Sequence, residues 1–187
     1  MLMADTMAIV FVVLGFLLAL PGLWLVCRAL WPGVVERSRA RCEARPIVSF
    51  LVGAALTLGA ILVSAVVGKV AGGAGQIAAF AISSLFAMFA HTGVAGLASH
   101  LGRRLPSPAD AGRPWRETLR GGVVLELSYL VPILGWFVIL PVSIVLGAGA
   151  AALAIVLPGR AEAAARAPVA PAEETVQEPI LYAETLS

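Results

Sequence analysis

Two side chains within the apolar stretches of this chain can do chemistry, His91 and Glu126. Imidazole titrates near neutral pH, so a histidine in mid-helix can pass a proton. An ionisable group inside a membrane is costly to keep there and is a functional candidate by default. Glu126 is the one carboxylate in the apolar segments and stands six residues past Arg120. It is expected either to pair with an arginine near the interface or to stay protonated with a raised pKa. A Glu126–His91 pair would make a proton site, but no spacing brings the two together. The plainer expectation for His91 is a neutral ring donating one hydrogen bond across a helix bundle.

The search for other chemistry is negative. There is no HExxH, no GxSxG and no pair of intramembrane aspartates, and the Gly72-Gly73-Ala74-Gly75 run lacks the Lys-Ser/Thr of a phosphate loop. Cys27 lies in an apolar span and Cys42 in a basic loop, which argues against a disulfide, and no Cys/His cluster has metal-ligand spacing. No catalytic residue, cofactor or metal is therefore expected, and the chain is read as no enzyme.

The elements that hold these residues follow from hydropathy. Of 187 residues, 60% are hydrophobic and only 13% charged, about half the charge of a soluble domain. Apart from Asp5, Lys69 and Glu126, every charge lies between Arg28 and Arg45, between Arg103 and Arg120, or from Arg160 onward. The stretches between are long enough to cross a bilayer, which takes roughly 20 apolar residues. The fold class is thus an all-α integral membrane bundle of about four transmembrane helices, spanning 7–30, 47–67, 76–101 and 136–157. The N-terminus lacks the basic n-region of a signal peptide and is read as a retained membrane helix.

Pro21-Gly22 is expected to kink the first span, and Val35–Arg45, free of Gly and Pro, to form a short helix ended by Pro46. The Ala71–Gly75 run reads as a flexible turn. Gly121–Leu157 is too long for one crossing, at roughly 55 Å of helix against a core of about 30 Å. A break is expected at Pro132–Trp136, with an interfacial, re-entrant or short spanning helix over about 119–131 before it. Residues 158–187 are rich in Ala, Pro and Glu and read as a flexible tail, in which Ile180, Leu181 and Tyr182 form a small apolar docking motif.

Orientation comes from counting arginines. Five (28, 37, 39, 41, 45) flank or fill the first loop and five (103, 104, 113, 116, 120) the third, whereas the alternate side carries only Asp5 and Lys69. The positive-inside rule places both arginine loops in the cytoplasm and the N-terminus outside. Arg37, Arg41, Arg103 and Arg104, with Trp31 and Trp115, are the expected contacts to lipid headgroups. Twelve arginines against one lysine, in an Ala- and Gly-rich chain, suggest a GC-rich bacterial genome and hence the bacterial inner membrane. Basic charge divided among short loops reports topology, so no nucleic acid is expected as a partner. Along the third span, Ala79, Ser83, Ala87, His91, Ala95 and Ser99 recur at i, i+4, with Gly96 beside them. Small residues on one face let membrane helices approach, so this row is read as a packing face.

Three stretches in order resemble a family of bacterial membrane modules found alone or fused behind bactofilin-like, polymer-forming domains. They are Glu36–Pro46 leading into Ser49–Gly53, then Leu101–Leu105, then Arg120–Gly122 through Pro132–Trp136 to Leu146–Gly149. The Gly-rich turn departs from the apolar Gly-Ile-Pro connector of that family, and none of the 187 residues reads as its β-helical domain. The resemblance implies no catalytic residue. The function expected from all this is a non-enzymatic membrane scaffold or accessory subunit, associated with other membrane subunits or with itself. The alternative is a small transporter or channel component that uses His91 and Glu126.

Overall fold

The computed structural model describes residues 2–70, 72–105 and 113–157. Every regular element among them is helical. The first helix, α1 (Leu2–Leu30), runs unbroken through Pro21 and begins five residues before the expected Met7. Its ladder nearly continues into α2 (Pro32–Ala44): the Trp31 N–H bonds the Cys27 carbonyl at 2.9 Å and the Val35 N–H bonds the Trp31 carbonyl at 3.1 Å. Pro32 opens α2 at a position where its missing N–H costs nothing. Pro46 then opens α3 (Pro46–Val70). The helix α4 (Gly72–Arg103) starts directly on Gly72, whose φ of +59° is a left-handed conformation that glycine adopts freely. The predicted turn is therefore shorter than Ala71–Gly75.

After α5 (Pro114–Tyr129) the chain breaks at Leu130–Val131, ahead of the expected Pro132–Trp136. Val131 is extended, with φ −68° and ψ 112°, as the residue before a proline prefers to be. Pro132 then opens α6 (Pro132–Leu134), which passes through a π-helical turn (Gly135–Ile139) into α7 (Leu140–Val156). Pro132 starts a helix here; it does not break one. The stretch from Pro132 to Val156 is the fourth helix long and apolar enough to cross a membrane, beside Met3–Leu30, Pro46–Val70 and Gly72–Arg103. At 16 residues, or roughly 24 Å, α5 falls short of a crossing.

Contacts fix which ends lie together. Arg103 at the end of α4 bonds Glu117 in the first turn of α5, and Arg41 of α2 bonds the carbonyl of Leu157 just past α7. Both ends of the α5–α7 segment thus sit on the arginine face. Between them Tyr129, the last residue of α5, hydrogen-bonds Ser143 of α7 at 2.5 Å. The hydrogen bond pairs the end of α5 with α7 as two neighbouring arms of one segment.

With lipid on one side and protein on the other, burying apolar surface adds little between membrane helices, so close packing must hold them. A Cβ on Gly53 of α3 would run into the Val145 carbonyl, and one on Gly93 of α4 into the backbone of Gly147. Gly121 of α5 sits equally close to the Ala98 carbonyl of α4. A cluster of buried side chains, Trp24, Cys27, Val35, Val94, Leu125 and Tyr129 among them, lies where α1, α2, α4 and α5 meet. The N-terminal half of α1 has no such cover: Phe11 is 68% and Val12 71% exposed.

Candidate functional site

The last turn of α1 carries Arg28 into a polar cluster. Its Nη1 donates to Ser99 Oγ at 2.7 Å and to Thr118 Oγ1 at 2.9 Å. Ser99 gives its own proton to the Ala95 carbonyl at 2.9 Å, so the 2.7 Å bond between the two buried hydroxyls is donated by Thr118. Beside them Glu36 of α2 accepts from Arg39 Nε at 2.8 Å and from Arg103 Nη2 at 3.3 Å, with Arg28 Nη2 at 3.9 Å. Arg103 Nε bonds Glu117 at 2.9 Å. Burial alone would raise the Glu36 acid; the Arg39 hydrogen bond and the charges of Arg39, Arg103 and Arg28 bring it below its ordinary value. Two acids, Glu36 and Glu117, and three arginines, with the Thr118 hydroxyl, therefore tie α1, α2, α4 and α5 together.

This rearranges the expected lipid contacts. Arg103 bonds protein carboxylates, and Arg41 is half-buried and bonds Leu157 O at 3.0 Å. Arg37 is also half-buried, while Arg104, Trp31 and Trp115 are exposed as an interfacial belt requires. Arg116 lies over the Trp115 ring at 5.4 Å. Ile180, Leu181 and Tyr182 lie outside the described residues.

Above the cluster stands Glu126, 0% exposed, with neither carboxyl oxygen hydrogen-bonded. One turn back, Gly122 lets the Trp24 ring lie against α5, and the Trp24 indole N–H is likewise buried with no acceptor. Burial pushes the Glu126 acid up to about 7. An adjoining cavity of about 200 Å³ is lined by Leu20, Trp24, His91, Tyr129 and Leu140, among others. His91 Nδ1 lies 3.0 Å from the Ala87 carbonyl. Because a carbonyl only accepts, Nδ1 carries the proton, and this bond lies within α4. The expected bond across the bundle is not what the ring makes. No hydrogen bond or ion pair joins His91 to Glu126, and Glu126 is not among the residues lining the cavity. The structure brings His91 and Tyr129 to one cavity and leaves Glu126 in the neighbouring seam.

The packing row divides along its length. Ala95, Gly96 and Ser99 are buried; Ser83 Oγ bonds Ser64 of α3 at 3.1 Å and Ala79 rests against Gly68; Ala87 is exposed. Sequence reasoning missed Arg28, Thr118, Trp24 and the glycines at 53, 93 and 147. Cys27 and Cys42 are both buried free thiols, and burial pushes Cys42 up to about 12, which keeps it neutral. Among the described residues no three His, Cys, Asp or Glu side chains gather as metal ligands would.

No protein-family model, no curated protein and no solved structure matches the chain.

Proposed function

We propose that the chain is a non-enzymatic membrane scaffold or accessory subunit of a larger bacterial inner-membrane assembly, its arginine face in the cytoplasm and its N-terminus outside. The observation that carries this reading is where the polar side chains go. Arg28, Glu36, Ser99, Arg103, Glu117 and Thr118 bond one another across four helices, so they hold the bundle together. The outer half of α1, exposed around its whole circumference, supports the same reading, because a helix left uncovered by its own chain has room to pack on another subunit. The resemblance to modules that accompany polymer-forming domains agrees with it.

A mild-detergent pull-down through a C-terminal tag, with the mass of the complex measured, tests the proposal. Co-purifying membrane subunits or a defined oligomer support it; a monomer with no stoichiometric companion overturns it.

One observation favours a second reading, a small proton or ion pathway. The buried, unpartnered carboxyl of Glu126 lies beside a cavity that holds His91. Liposomes containing the protein should then pass protons, and His91→Ala and Glu126→Gln should each reduce the flux. Flux equal to that of empty liposomes, or unchanged in both variants, removes this reading.

A further inference from the structure

Away from the polar cluster, a groove of about 750 Å³ lies between α3 and α4. Gly59 and Val63 form its α3 wall, Leu85 and Phe89 its α4 wall, and Trp31 and Ile155 belong to its arginine-face end. Gly59 opens the groove, since a Cβ added there meets nothing within 4 Å. Such a slot inside a bilayer takes hydrocarbon. What decides which hydrocarbon is the end of the groove. Val34 of α2 also lines it, and Arg37 and Arg41 follow Val34 at i+3 and i+7, on the same helix face. Both arginines are half-buried, and Arg41 marks the level of the Leu157 carbonyl just past α7. Trp31, 46% exposed, stands at the junction of apolar wall and basic helix, the setting its amphipathic ring prefers.

We infer that this groove is a binding site for one anionic phospholipid, its acyl chain between α3 and α4 and its phosphate against Arg37 and Arg41. The apolar wall supplies affinity for any lipid chain; the arginines supply the preference for negative charge. The site is separate from the proposed scaffold role and stands whether or not the protein has partners.

Native mass spectrometry of the full chain, delipidated and titrated with phosphatidylglycerol or phosphatidylcholine, tests the site. The expected result is one phosphatidylglycerol held more tightly than any phosphatidylcholine. Gly59→Leu, which fills the groove, should abolish that tight binding. Gly15→Leu, at another helical glycine with open space around it, should retain it. Arg37→Gln and Arg41→Gln should each weaken phosphatidylglycerol about fivefold, the weight of one basic residue at an anionic surface. Equal binding of the two lipids, or tight binding that survives Gly59→Leu, overturns the inference. So does a cross-link from the Leu85→Cys variant to another protein chain at full yield in the presence of phosphatidylglycerol, because a protein helix then occupies the groove.

Discussion

Arg41 Nη2 donates to the backbone carbonyl of Leu157 at 3.0 Å, joining the first arginine loop to the end of the last helix across 116 residues. A helix that ends beside α2 leaves the membrane on the face where α2 lies. With α1, α3 and α4 read as three crossings and α5–α7 as an entry and return, a C-terminal reporter is expected on the arginine face. Topology reporters fused after Arg45 and at Ser187 should score on one side and a reporter after Gly73 on the other. Opposite scores at Arg45 and Ser187 would mean that the α5–α7 segment crosses an odd number of times.

Gly93 and Gly147 hold α4 and α7 in backbone contact, and two effects of Gly93→Ala oppose each other. Alanine favours an isolated helix over glycine by about 1 kcal/mol. The added methyl would collide with the Gly147 backbone, and overpacking costs about 1–3 kcal/mol or more where backbone must shift. The collision dominates, so Gly93→Ala should lower the melting temperature in detergent. Gly59→Ala, with open space around its Cβ, keeps only the propensity gain and should be neutral or slightly stabilising.

The gap between sequence and structure has a physical pattern. The spans were legible because each is one long apolar run, and the short basic helix because Pro46 acts on the backbone next to it. The break near Pro132 was legible to within two residues but not its form: Pro132 starts a helix, and Gly135 lets the Tyr129 carbonyl come close. The Arg28–Ser99–Thr118 cluster was not legible, since its members stand 71 and 90 residues from Arg28 and nothing in local spacing pairs them. The glycine crossings escaped likewise: Gly93 gains its role only from Gly147 on another helix. Glu126 was visible as an anomaly, but its lack of any partner is a tertiary fact.

Thr118 is fully buried and accepts from Arg28 while donating to Ser99. Thr118→Val keeps the shape and removes the hydroxyl. Ser99 then loses a donor and Arg28 one of two neutral acceptors, in a place where water does not replace them. A hydrogen bond to a charged group is worth about 1.5–3 kcal/mol, and the loss should fall in that range in reversible unfolding in mixed micelles. Arg28→Met should also destabilise, and the double variant should lose less than the sum, because both changes break the same bond. Strict additivity would show that the cluster contributes nothing as a unit.

Glu126 gives the fold a pH dependence with a definite sign. Its acid is raised by burial to about 7 in the folded chain, from an ordinary value of 4.5. The folded state therefore holds a proton that the unfolded state has released. Stability is fully present below the unfolded value and falls as pH rises from about 4.5 through about 7, because ionising the group in place leaves a buried charge with no donor. Glu126→Gln, of the same shape but without a charge, should remove this slope and leave the variant more stable than the parent at pH 8. Glu126→Lys should be destabilising at every pH. Thermal melts across pH 5–8 distinguish the cases: a parent whose melting temperature rises through this window relative to Glu126→Gln would mean that the carboxylate finds a donor when it ionises.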